Sequence, residues 1–207
     1  MPQTRLATMV IAVALVCSLG AVAGAQAPAP TVIRGAVVAL EGSVLTVKGA
    51  TSTTKITLAD NVRVTYAVKS DISKIGPGTF IGTAAVPQAD GSYRALEIQL
   101  FDQANHPAEA DRPWDVAPKS TMTNATIASM TSTTVEKVDG RMLVLKLKDG
   151  EKRVFVPLSA PIIGYEPTDR SALVPGANVL LFALKKDDGS FSAASVQVGK
   201  AGLVIPY

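Results

Sequence analysis

The chain has one histidine, His106, and it lies among carboxylates: Asp102, Glu109, Asp111 and Asp115 all fall within nine positions of it. The only tryptophan, Trp114, stands in the same stretch, "DRPWDVAPKSTM". An imidazole beside acids suits two kinds of chemistry: general base catalysis with an orienting carboxylate, or ligation of a divalent cation. The surroundings support neither strongly. No serine sits in a Gly-x-Ser-x-Gly elbow, and His106 is followed by Pro107 inside the polar run "DQANHPAEAD". No catalytic residue is assigned, and the chain reads as a non-enzyme. One histidine cannot build a closed transition-metal site, and the acids lack the spacing and glycine of an EF-hand. His106, Asp111, Trp114 and Asp115 are therefore retained only as a weak ligand or ion region. No cofactor motif is present.

The first 25 residues read as a leader. Arg5 precedes "LATMVIAVALVCSLGAVAGA", uncharged and ending on the small residues Ala23-Gly24-Ala25 that signal peptidase accepts. A retained membrane anchor is the competing reading, since about 20 apolar residues span a bilayer. Val16 before Cys17, the only cysteine, disfavours a lipoprotein signal. The expected product is an exported protein, periplasmic or secreted, without thiol chemistry or disulfides. Its charge is small: +3 for the chain, or +2 once Arg5 is removed. That balance, with only ten aromatics (five Phe, four Tyr, one Trp), argues against nucleic acid, which needs a basic groove with stacking platforms. No later apolar run is long enough for a membrane helix. The aromatics are too few for the girdles of an outer-membrane barrel.

The chain repeats itself after 98 residues. "DISKIGPGTFIGTAAVPQADGSYRALEIQL", from Asp71, aligns with "DRSALVPGANVLLFALKKDDGSFSAASVQV", from Asp169. In the first copy the shared residues include Asp71, Pro77, Gly78, Asp90, Gly91 and Gln99. Their counterparts in the second are Asp169, Pro175, Gly176, Asp188, Gly189 and Gln197. Most are turn formers or helix caps, so they are expected to be structural. The same offset without a gap also pairs Val37 with Val135, Gly42 with Gly140, Leu45 with Leu143 and Lys48 with Lys146.

Both copies read as short β-branched runs separated by Asp-Gly and Pro-Gly. Leu96, Ile98 and Leu100 match Ala194, Val196 and Val198, whereas Glu97 and Gln99 match Ser195 and Gln197. That alternation predicts one buried and one wet face. The fold expected is all-β: two tandem small antiparallel β-barrels, OB-like, with five to six strands each. A two-sheet sandwich is the alternative. The expected layout is a leader (1–25), linker (26–31), first barrel (32–101), interdomain strap (102–124), second barrel (125–200) and tail (201–207). Pro113 and Pro118 stiffen the strap, and Trp114 is the apolar group available to pin it.

The runs "RPWDVAPKSTMTNATI", "KDGEKRVFVP" and "PQADGSYRALEIQLF" resemble a family of exported bacterial proteins of unknown function built from OB-like β-barrel domains. Some members carry the label "metal ABC transporter permease", although a permease needs several membrane helices. The resemblance implies location and fold and supplies no catalytic residue. The function expected is a non-catalytic binding or envelope-associated interaction module. The alternative is an accessory carrier of a small ligand or metal ion beside a transporter. The partner expected is an envelope protein or a small ligand, and not nucleic acid.

Overall fold

The computed structural model describes residues 30–135 and 138–206. The leader and residues 26–29 of the linker lie outside them. Twelve strands join in one continuous sheet. The first half supplies β1 (Thr31–Glu41), β2 (Val44–Lys48), β3 (Thr53–Lys69), β4 (Phe80–Pro87) and β5 (Tyr93–Leu100). The strap supplies β6 (Ala110–Pro113). The second half supplies β7 (Thr121–Val135), β8 (Val138–Leu147), β9 (Gly150–Pro157), β10 (Ile162–Thr168), β11 (Asn178–Lys185) and β12 (Phe191–Gly199). Among the described residues no helix is long and apolar enough to cross a membrane.

The strands close into two five-stranded rings. In the first, β1 lies antiparallel to β2 and β11, β2 to β3, and β11 to β12, while β12 closes on β3 in parallel. In the second, β4 lies antiparallel to β5 and β7, β7 to β8, and β8 to β9, while β5 closes on β9 in parallel. This is the Greek-key order of an OB-type barrel, not a two-sheet sandwich. Each ring has its own core. Leu45, Ile56, Leu58, Val64 and Leu181 fill the first, and Ile81, Ile98, Ile127, Leu143 and Val154 the second. Each such buried side chain contributes roughly 1.5–3 kcal/mol.

The barrels do not coincide with the halves of the repeat. Residues 32–101 and 125–200 each surrender one hairpin: β11–β12 completes the first barrel, and β4–β5 completes the second. Strand β3 provides the cause. Its start pairs with β2, but 64–69 run on, antiparallel to β10, and carry the chain across to the other barrel. At that crossing Ala67 faces Tyr165, its own repeat equivalent. Tyr66 faces Glu166 and Val68 faces Gly164, two pairings that exchange under the 98-residue offset. The halves are thus related by a pseudo-two-fold axis, the geometry of an isologous dimer written into one chain. The strap is also shorter than 102–124, because β7 begins at Thr121.

The offset is not free of gaps. Gly176 N–H donates to Val37 O at 2.8 Å, and Gly78 N–H donates to Ile127 O at 2.8 Å, so Val37 corresponds to Ile127 and not Val135. The offset is 90 there but 98 at Leu45 and Leu143, which makes the β7–β8 hairpin eight residues longer than β1–β2. Gly42 is a turn residue at φ 59°, whereas Gly140 is pressed against Phe155 within β8.

The expected wet face is a further correction. A register shift sets Ala95 and Ile98 both inward in β5, and another sets Ala193 and Val196 both inward in β12. Glu97 and Gln99 are buried, and Ala194 is exposed.

The duplicated turn residues hold matching turns. Pro77 and Pro175 each occupy the second position of a four-residue turn. Thr79 N–H closes the first on Gly76 O at 3.0 Å, and Ala177 N–H closes the other on Val174 O at 3.0 Å. Gly78 and Gly176 follow the prolines, both at φ 84°. Proline presets the first central φ and glycine takes the positive one, as a type II turn requires. Asp71 and Asp169 accept from Ser73 N–H at 2.7 Å and Ser171 N–H at 2.8 Å, capping short 3-10 turns. Asp90 accepts from both the hydroxyl (2.6 Å) and N–H (2.9 Å) of Ser92, and Asp188 does the same with Ser190. These bonds hold all four carboxyls below the ordinary value. A depressed folded pKa contributes stability above the unfolded value, about 3.9, and loses it as pH falls through the folded one. The double change Asp90→Ala/Asp188→Ala is therefore expected to flatten the fall of the thermal midpoint as pH drops below about 4.

Candidate functional site

The strap touches both barrels. Strand β6 pairs with the start of β7, and the loop between them closes through Trp114 N–H to Ser120 O (2.8 Å) and Ser120 Oγ to Trp114 O (2.9 Å). Trp114, half-buried, lies 6.1 Å from the Phe182 ring of β11. Two guanidinium groups stand over its indole, Arg112 at 5.1 Å and Arg34 of β1 at 5.6 Å. Arg34 also grips Asp115 with two bonds, at 3.0 and 3.1 Å, which hold the Asp115 carboxyl below its ordinary value. Such cation–π contacts contribute about 0.5–1 kcal/mol each when exposed. The change Trp114→Ala is expected to cost about 2 kcal/mol, less than a fully buried aromatic. It is also expected to speed amide exchange across 112–120; unchanged exchange there would rule out a docking role.

At its other end the strap reaches the second barrel through Asp111. Lys152 of β9 is 6% exposed, and its Nζ bonds Asp111 at 2.8 and 3.0 Å, Thr121 Oγ1 at 2.8 Å and Thr123 Oγ1 at 3.0 Å. The ammonium lies 3.8 Å from the Tyr93 ring centroid. Lys152 shares the inward parity of Val154 and Val156 in "EKRVFVP", a signal present in the sequence.

His106 does not join these groups. Its ring stacks on Phe80 at 3.8 Å, and Nδ1 lies 2.9 Å from the Pro107 carbonyl oxygen. Asp102 accepts from Ala104 N–H, and Glu109 from Lys148 N–H. The linker acids are thus spent on separate partners, and among the described residues no three His, Cys, Asp or Glu side chains gather in a metal-binding group.

A second polar cluster sits at the pseudo-two-fold axis. Tyr165 hydroxyl bonds Gln99 Oε1 at 3.0 Å and Gln197 Oε1 at 3.3 Å, and Gln99 Nε2 donates to Glu97 Oε1 at 2.7 Å. Burial, then the charge of Glu97, pushes the Tyr165 phenol far above its ordinary value, so it stays neutral. The two glutamines are repeat equivalents meeting on one hydroxyl. The cluster joins strands of both barrels, with Glu97 and Gln99 buried and Tyr165 and Gln197 partly exposed.

An open depression lies outside the first barrel. Pairing of β12 with β3 breaks between Ala193/Leu58 and Ser195/Arg63, so 59–62 bulge opposite Ala194. Arg170 buttresses the bulge, donating to Ala59 O at 2.6 Å and Asp60 O at 3.2 Å. Beside the break runs a depression of about 360 Å³ floored by Phe182, Leu184, Ala193 and Ala194, with Lys186 on its rim. It adjoins a second, of about 320 Å³, bounded by Asn61, Arg63, Ala194 and Ser195. No protein-family model, curated protein or solved structure matches the chain. The groove and the two clusters must therefore be read from their own chemistry.

Proposed function

We propose that the chain is an exported, non-catalytic binding module of the cell envelope. Its ligand is elongated, with an apolar body along Phe182, Leu184 and Ala194 and an anionic end near Lys186 or Arg63. The break in β3–β12 pairing carries this reading, because it opens an apolar concavity with a few polar groups at the rim, the usual makeup of a ligand site. The side chains with chemical potential support the non-catalytic part: Lys152 is spent on Asp111 and two threonines, and Tyr165 is pinned between two glutamines. The small-ligand half of the alternative is contained in this proposal. The metal-ion half loses its ligand set to the separate partners of the linker acids. Location rests on the leader, and kinship on the resemblance to exported proteins with OB-like domains.

Decanoate, an apolar chain with one carboxylate, is a suitable probe. Titration followed by amide NMR is expected to shift 192–195 saturably, and Ala194→Trp is expected to abolish the shifts without moving the thermal midpoint. Absent shifts, or shifts indifferent to Ala194→Trp, would remove the groove as the site. Turnover of hydrolase substrates that a groove substitution abolishes would overturn the non-catalytic part.

A further inference from the structure

Closing a barrel removes the free edges of its sheet, yet one long edge survives here. Strand β4 covers one side of β7 only from Thr121 to Thr126, and Ile127 ends that contact on Gly78 and Thr79. Thr126 pairs with Phe80 on that side and Lys146 on the other, so β4 and β8 lie on opposite edges. Beyond it, among the described residues, Ala128 bulges and 129–135 pair with β8 alone. The edge left open reads "ASMTSTTV", with no charge and no proline. Natural edges are usually blunted by lysine, proline or shortness. Two other edges here follow that rule. Strand β1 continues only four residues past Val37 and ends on Glu41, and β6 is four residues long with Asp111, Arg112 and Pro113. The unprotected edge therefore comes with the eight residues by which the β7–β8 hairpin exceeds its repeat counterpart.

We propose that residues 129–135 pair antiparallel with the same residues of a second copy of this chain, across a two-fold axis at Ser132. An open edge recognises an extended backbone, and its lack of charge favours itself as occupant: no like charges meet when the strand faces its own copy. Cross-strand threonine and serine pairs of the kind such a register creates are stabilising. The chain already contains this contact in intramolecular form, where β3 meets β10 antiparallel about the pseudo-two-fold axis. Seven residues span about 24 Å, which buries less than the roughly 1,200 Å² of a tight complex. The dimer is accordingly weak and reversible, half-formed between about 10 and 100 µM, and insensitive to salt because no charge takes part.

Sedimentation velocity on the chain from Gln26 onward, from about 1 µM to 1 mM, tests this. The expected result is a concentration-dependent dimer. Thr131→Lys/Thr133→Lys and Thr131→Glu/Thr133→Glu proteins are each expected to lose at least tenfold in dimer affinity, with thermal midpoints unchanged. Their mixture is expected to restore the dimer, since opposite charges then face each other. A single monomer mass throughout overturns the proposal. So do a dimer indifferent to both double variants and a mixture of them that stays monomeric. The groove at Ala194 takes no part, so decanoate binding and dimer formation succeed or fail independently.

Discussion

Cutting the chain between Gln103 and Pro107 is expected to leave its two halves bound as one particle. The segment is exposed and lies between β5 and β6, so a protease site there disturbs no sheet. Each barrel draws three strands from one half and two from the other, so separation requires both barrels to open. Two self-contained barrels would behave differently, since only their mutual surface would oppose dissociation. The nicked protein is expected to co-elute as both fragments under native conditions and to separate only on unfolding. Its unfolding midpoint then depends on concentration. If the intact linker supplies an effective concentration of about 1 mM, the nick costs about 4 kcal/mol at micromolar protein. Fragments that separate at low denaturant would show the exchange to be wrong.

The second large effect concerns Asp111 and Lys152, and it is asymmetric. Lys152 is 6% exposed and Asp111 36%. Removing the acid by Asp111→Ala strands a cation in the barrel's end, expected to cost about 3 kcal/mol, because a buried charge loses its compensation. Lys152→Met leaves the carboxylate partly in water and keeps an apolar stem over Tyr93, so about 1 kcal/mol is expected. The double variant is expected to sit near Lys152→Met alone, giving a coupling of about 3 kcal/mol in a denaturant-based double-mutant cycle. Equal single losses, or additive ones, would place the ammonium in solvent and not in the cage.

Most strands are legible because their hairpins are punctuated by residues with backbone reasons to be there. Asp90-Gly91 and Asp188-Gly189 mark turns, whereas the same dipeptide at Asp139-Gly140 runs inside β8, paired with Thr134 and Thr133. The repeat likewise exposed two copies of one barrel's worth of strands. It was silent on ownership, since β4–β5 and β11–β12 are near-copies and either fits either barrel. Only the continuation of β3 through 64–69 decides, and that lies in pairing with β10, a long-range contact. The same blindness hid the polar cluster: Gln99 and Gln197 look solvent-facing until the crossing brings them together on Tyr165. Periodicity also hid the register shifts, which turn Ala95 and Ile98 to one face. Of the strap, Trp114 and its acids stand out in the sequence, but their partners Arg34, Phe182 and Lys152 lie 41 or more positions away. Lys152 alone gave a local sign, an ammonium at an inward-facing position.

The exchanged hairpins also set an order of assembly for a chain that emerges from one end. The first barrel opens with Thr31 but cannot shut before Gly199 arrives, whereas the second is complete once Pro157 has emerged. A half-delivered chain therefore holds no finished barrel until three-quarters of its length is out. For most of its emergence it has no closed ring, and the barrel begun first is the last to close.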